Sequence, residues 1–151
     1  MPPSSTLRIG ATSSVHISTK PPRVTEAGGH VLKNLGDGLM ALFGYPHAQE
    51  NDAERAVRCA IEIQRVIAEI NVRNAQTAAP RLVARIGLES GPVVVDTAGE
   101  VFGETPNVAA RVQAIAEPGT VLVTSTVQRQ VAGLFIVEDK GALSSRACRR
   151  Q

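Results

Sequence analysis

The stretch from Asn51 to Val72 constrains the fold more than any other part of the chain. Apolar residues recur there at helical spacing, as Ala53, Ala56, Val57, Ala60, Ile63, Ile67 and Ile70, and such a stripe has to be buried against another layer. The opposite face is charged. Glu54 and Arg58, Arg58 and Glu62, and Arg65 and Glu69 are spaced to support one another along a helix. Asn51 or Asp52 is placed to cap it, with Asp52 and Glu54 favouring the positive end of its dipole. Aromatic residues make up only 3% of the 151-residue chain and Trp is absent. The layer beneath this helix therefore has to be built from Val, Ile, Leu and Ala.

That layer is a sheet assembled from short apolar stretches around turn residues. Val31 to Leu35 and Leu39 to Phe43, separated by Gly36-Asp37-Gly38, read as a β-hairpin. Leu82 to Leu88 and Pro92 to Val95 read as a second strand pair around a tight turn at Glu89-Ser90-Gly91. A second helix is expected from Thr105 to Ala116, with Pro106 tolerated in its first turn and Glu117-Pro118-Gly119 ending it. Val121 to Thr124 reads as a strand, Ser125 to Val131 as a short helix capped by Ser125, and Phe135 to Glu138 as a further strand. Residues 1–29 are punctuated by Pro and Ser and read as irregular apart from a short strand around Val15 to Ile17. Residues 141–151 read as an irregular basic tail, leaving 30–140 as the domain. Hairpins mixed with helices, without strict alternation, point to an α+β sheet of ferredoxin-like type with helices packed on one face.

Two local patterns could carry chemistry. In Lys33-Asn34-Leu35-Gly36-Asp37-Gly38, an Asp at a hairpin tip is ordinarily a turn former, but on a rigid two-stranded support it can also offer hard oxygen to Mg²⁺ or Mn²⁺ beside a phosphate. In Gly103 to Arg111, Asn107 and Arg111 are four apart, so a helix places them on one face. An ordinary solvated pair would look the same. An amide and a guanidinium side by side can also hold a sugar oxygen and a phosphoryl oxygen together, a task that suits the charge and fork geometry of Arg.

The order and separation of these patterns add a resemblance. K-x-x-G-D-G from Lys33, F-G-x-P from Phe43, R-I-G-x-x-x-G-x-V-V from Arg85, and G-E-T-P-N-x-A-A-R-x-Q-x-x-A-x-P-G-T-V from Gly103 resemble class III adenylate and guanylate cyclases of the bacterial multidomain kind. The resemblance implies a catalytic domain that pairs head to tail with another such domain, as a homodimer or heterodimer, with the active site between them. The substrate it implies is ATP, cyclised by attack of its 3′-hydroxyl on the α-phosphorus, with two ions, Mg²⁺ or Mn²⁺, about 4 Å apart assisting. By this resemblance Asp37 matches a metal aspartate, Asn107 the residue that orients the ribose, and Arg111 the residue that steadies charge on the α-phosphate. Lys33 matches a purine-reading position, where a lysine donor suits N1 of adenine. Glu100, counted back from Asn107, falls at its partner position and can accept from the adenine amino group.

The ends depart from the family pattern. Residues 1–36 contain no Asp, so the family's first metal aspartate is absent, and the first strand and helix are expected to be missing with it. Near the other end, where the family has Leu-Lys-Gly, this chain has Leu143-Ser144-Ser145, with Lys140 out of register. Activity is therefore expected to be weak or absent in the chain alone. The alternative is a non-catalytic cyclase-homology domain that regulates or dimerises. A net charge of +2 and the scarcity of aromatic residues for base stacking argue against a nucleic-acid partner. No apolar run approaches the ~20 residues of a membrane span, and Cys59 and Cys148 lack metal-ligand spacing, so a cytoplasmic location with free thiols is expected.

Overall fold

A computed structural model describes the backbone of residues 4–11, 22–35, 38–141 and 145–149, and the side chains of 24–32 and 38–141. Among these residues lie nine strands and four helices: β1 (Ser4–Ala11), α1 (Pro22–Glu26), β2 (His30–Leu35), β3 (Gly38–Phe43), α2 (Asp52–Asn74), β4 (Ala84–Gly91), β5 (Val94–Val95), β6 (Val101–Phe102), α3 (Glu104–Ile115), β7 (Val121–Thr124), α4 (Ser125–Gln130), β8 (Ile136–Asp139) and β9 (Ser145–Arg149). Seven strands form one sheet in the order β2-β3-β1-β4-β7-β9-β8, and β5 pairs only with β6. The expected α+β architecture is what forms.

The long helix behaves as its stripe requires. Ala53, Ala56, Val57, Ala60 and Ile63 of α2 are buried against Leu39, Ala41 and Phe43 of β3, Ala84, Ile86 and Leu88 of β4, and Val121 and Val123 of β7. Val127 of α4 and Val131 beyond it close the same core. Aliphatic residues fill it, with Phe43 its largest buried side chain.

The expectation that all helices share one face does not hold. Alternate strand residues point to opposite faces, and Gly87 and Leu122 point away from the α2 core. They meet α3 instead: Val112, Ala116 and Leu122 form a second, smaller buried cluster. The sheet is thus sandwiched between α2 with α4 on one side and α3 on the other. The sequence of β4 hid this, because Gly87, buried like its neighbours Ile86 and Leu88, contributes no apolar side chain to signal a second buried face.

The expected absence of a first strand is also corrected. β1 lies near the middle of the sheet, antiparallel to both β3 and β4. Its register sets Leu7 opposite Ala41 and Leu88, and Ile9 opposite Leu39 and Ile86. The sequence Ser-Ser-Thr-Leu-Arg-Ile-Gly-Ala carries a weak strand signal by itself, and its position comes from two neighbours with unsatisfied ladder groups. Of the helix expected to be missing with it, the described residues contain only the five-residue α1. The strand expected at Val15 to Ile17 lies outside the described residues.

Three smaller departures follow from tertiary pairing. Glu89-Ser90-Gly91 is not a turn: it continues β4, held by β1 through Thr6↔Glu89, Ser5↔Ser90 and Ser4↔Gly91. The 141–151 tail, expected to be irregular, contributes β9, which pairs with β7 and β8. The cap of α4 is Thr124, whose hydroxyl accepts from the Val127 amide at 3.4 Å, rather than Ser125.

Candidate active-site face

The face that carries Asn107 and Arg111 is positioned by glycine. Gly103, at φ 129°, turns the chain out of β6 into α3, a backbone conformation that favours a residue without a β-carbon. Thr105 is buried and its hydroxyl donates to the Pro92 carbonyl at 2.9 Å, which ties the start of the helix to the end of β4. Below the helix, a β-carbon on Gly87 would lie 2.7 Å from Gln113 Cα and 2.8 Å from the Ala109 carbonyl oxygen. The glycine at residue 87 and the fully buried Ala109 therefore let α3 lie against the β4 backbone.

With Thr105, Pro106, Ala109 and Val112 turned inward, helical geometry turns Glu104, Asn107 and Arg111 outward, and all three are exposed. Asn107 and Arg111 share this outer stripe, as their spacing predicts. Arg111 is not unpartnered: its Nη2 donates to Glu104 Oε1 in an ion pair between side chains 70% and 72% exposed. Sequence reasoning missed Glu104. Its signal was a separation of seven residues from Arg111, two turns along the same stripe.

Glu100 lies in the turn between β5 and β6. Its amide donates to Asp96 Oδ1 at 2.9 Å, and its carbonyl accepts from the Asp96 amide at 3.0 Å. The Asp96 carboxylate, which also accepts from the Ala98 amide at 2.9 Å, thus organises this turn, and Glu100 is carried on the short arm that leads into α3. Lys33 is placed by its backbone in β2, opposite Met40 and next to a register shift after Val31; its side chain lies outside the described ones. Asp37 lies outside the described residues. The register that flanks it sets Gly38 opposite both Leu35 and Gly10, so the first residue of β3 and the end of β1 are neighbours along the backbone.

β1, the strand paired with β3, contains neither Asp nor Glu. Among the described residues no cluster of His, Cys, Asp or Glu could hold a metal ion.

A cleft of about 830 Å³ opens elsewhere, between the second half of α2 and residues 75–83. Its wall is stitched by Asn71, whose amide donates to the Leu82 carbonyl and accepts from the Leu82 amide, each at 2.8 Å. Gln64 donates to the carbonyls of Ala84 at 3.1 Å and Thr120 at 2.9 Å. Neither Asn107 nor Arg111 lines this cleft, and its Gln64, Asn71 and Thr77 side chains are spent on backbone. No described helix is long and apolar enough to cross a membrane.

Comparison with known proteins identifies a family and a shared fold. A sequence model of the family described as adenylate and guanylate cyclase catalytic domain matches residues 23–150. The chain is 34% identical over 105 residues to putative adenylate cyclase 3 of Rhizobium meliloti (strain 1021), covering 70% of this chain and 16% of that protein. It is 30% identical over 122 residues to an adenylate cyclase of Anabaena cylindrica, covering 72% of this chain and 23% of that protein. The chain therefore spans less than a quarter of the length of these relatives. The crystal structure of the adenylyl cyclase CyaB from P. aeruginosa shares the fold with a TM-score of 0.85 at 17% identity, covering 99% of this chain and 95% of that one.

Proposed function

The chain belongs to the adenylate and guanylate cyclase catalytic domain family, and we propose that it serves as one half of a two-chain nucleotidyl cyclase site. In this reading it presents Asn107 and Arg111 to a nucleoside triphosphate held at the metal site of a partner domain. The 3′-hydroxyl attacks the α-phosphorus of the same molecule, the cyclic phosphodiester forms, and pyrophosphate leaves. Arg111 steadies the charge that develops on the α-phosphoryl oxygens, where a guanidinium acts most strongly once the seam has excluded water. Asn107 orients the ribose.

The observation that carries this reading is the outward stripe of α3. An amide and a guanidinium share one exposed face of a helix whose other face is fixed to the sheet, so they are rigidly mounted and turned outward rather than into the core. Rigid mounting is what positioning chemistry requires.

Adenine is the favoured base. A Lys33 ammonium donates to N1 of adenine, an acceptor, whereas guanine N1 is a donor. The Glu100 carboxylate can accept from the adenine amino group. A divalent cation, Mg²⁺ or Mn²⁺, would polarise the phosphates when bound, but this chain matches it with Asp37 alone and β1 supplies no second acid. The ion-binding half of the site therefore belongs to the partner, and the chain by itself is weak or inactive. A cytoplasmic setting suits this substrate.

A second reading, a non-catalytic domain that dimerises, draws on the same acid-free β1 and on the apolar cross-strand pair Val94 and Phe102, which are 59% and 55% exposed on the β5–β6 arm. A cyclase assay of the purified chain with Mn²⁺ and ATP or GTP, alone and mixed with a family domain carrying both aspartates, separates the two. Cyclic AMP above the sum of the separate components supports the half-site. A stable mixed or single dimer with no added product supports the second reading.

A further inference from the structure

Arg111 is occupied before any substrate arrives. Side chains on a helix lean toward its N-terminus, so the guanidinium of Arg111 reaches back along the outer stripe, past Asn107, to the Glu104 carboxylate. Glu104 opens α3, where a carboxylate is also favoured by the helix dipole. Both partners of the pair are more than two-thirds exposed, so the pair is weak and open to exchange with another anion.

We propose that Glu104 is an internal competitor for Arg111: its carboxylate holds the guanidinium where a phosphoryl group would otherwise bind, and a nucleoside triphosphate must displace it. This inference rests on the half-site reading and deepens it, because it assigns a positioning residue that tunes nucleotide affinity at that site. Glu104 engages Nη2 of Arg111, and a phosphoryl group approaching the same edge of the guanidinium competes with it; a triphosphate, with more charge, takes that edge from a lone carboxylate. The carboxylate sets a threshold. It keeps Arg111 extended over Asn107 and raises the nucleotide concentration at which the exchange occurs.

The test uses the full chain mixed with a family domain that carries both aspartates but has the counterpart of Arg111 replaced by Ala, so that product depends on this chain's arginine. Glu104→Gln removes the competing charge and should raise kcat/KM for ATP by about two- to fivefold, chiefly through a lower KM, since exposed pairs are worth little. The gain should shrink as salt is raised, because screening weakens the pair it removes. Glu117→Gln, which deletes the same charge just past the other end of α3, should leave KM unchanged. In the chain alone, ¹⁵N NMR should show slowed rotation of the Arg111 guanidinium that is lost in Glu104→Gln. An unchanged KM with a working mixture overturns the competitor role and leaves the half-site standing. A freely rotating Arg111 in the unaltered chain overturns it independently of activity. No product from any mixture overturns both.

Discussion

Gly87 lies against the backbone of Ala109: a β-carbon at residue 87 would sit 2.8 Å from the Ala109 carbonyl oxygen. That contact sets how close α3 comes to the sheet, and so how Asn107 and Arg111 stand at the outer face. This glycine, inside a stretch that the sequence marks as a strand, is a spacing device between two layers.

Gly87→Ala should therefore act on both stability and function. The added methyl meets helix backbone, which cannot rotate away, and overpacking of this kind costs about 1–3 kcal/mol. Thermal denaturation should show a lower Tm. Complementing activity at permissive temperature should fall further than the loss of folded protein explains. Gly91→Ala offers the contrast, since its nearest neighbours are side-chain atoms of Thr105, and should be milder on both counts.

Gln64 bridges two strand ends from α2, donating to Ala84 and Thr120 carbonyls. Gln64→Ala should destabilise the chain by roughly 1 kcal/mol for each bond lost. Hydrogen exchange should quicken at the start of β4 and around Pro118 to Thr120, with Arg111-dependent activity retained.

Cys59 is buried in the α2 core, and burial, assisted by nearby Glu62, pushes its thiol up to about 12. The thiol is neutral in the folded chain across ordinary pH, so alkylation followed by peptide mass analysis should leave Cys59 unmodified at pH 8 until the chain unfolds. The sign of the stability effect follows from the raised value. Below the unfolded thiol's own pKa, near 8.5, both states are neutral and the contribution is intact. As pH rises from there toward 12 the unfolded chain ionises first, and stability falls.

Much of this architecture was legible in the sequence because local pattern and tertiary demand agree. The stripe of α2 predicts a buried face and finds one. The Gly36-Asp37-Gly38 punctuation predicts the β2–β3 hairpin, and Val121 to Thr124 forms the strand expected of it. What escaped was decided by partners distant in sequence. β1 has few apolar residues and is recruited by β3 and β4; β9 is drawn from a basic tail by β7 and β8. The opposite placement of α3 depends on Gly87, whose message is the absence of a side chain. At the candidate site, the helical spacing of Asn107 and Arg111 shows which residues share a face. The pairing of Arg111 with Glu104 depends on rotamers, which the sequence pattern does not specify.

Arg111→Ala in the complementation mixture is the most direct measurement of the central claim. The side chain is largely exposed, so its removal should leave Tm and dimer formation unchanged while cyclic AMP production falls on the order of a thousandfold, by analogy with other arginines that stabilise phosphoryl transition states. Product formation that persists undiminished in Arg111→Ala, from a partner domain lacking its own counterpart arginine, would contradict the account.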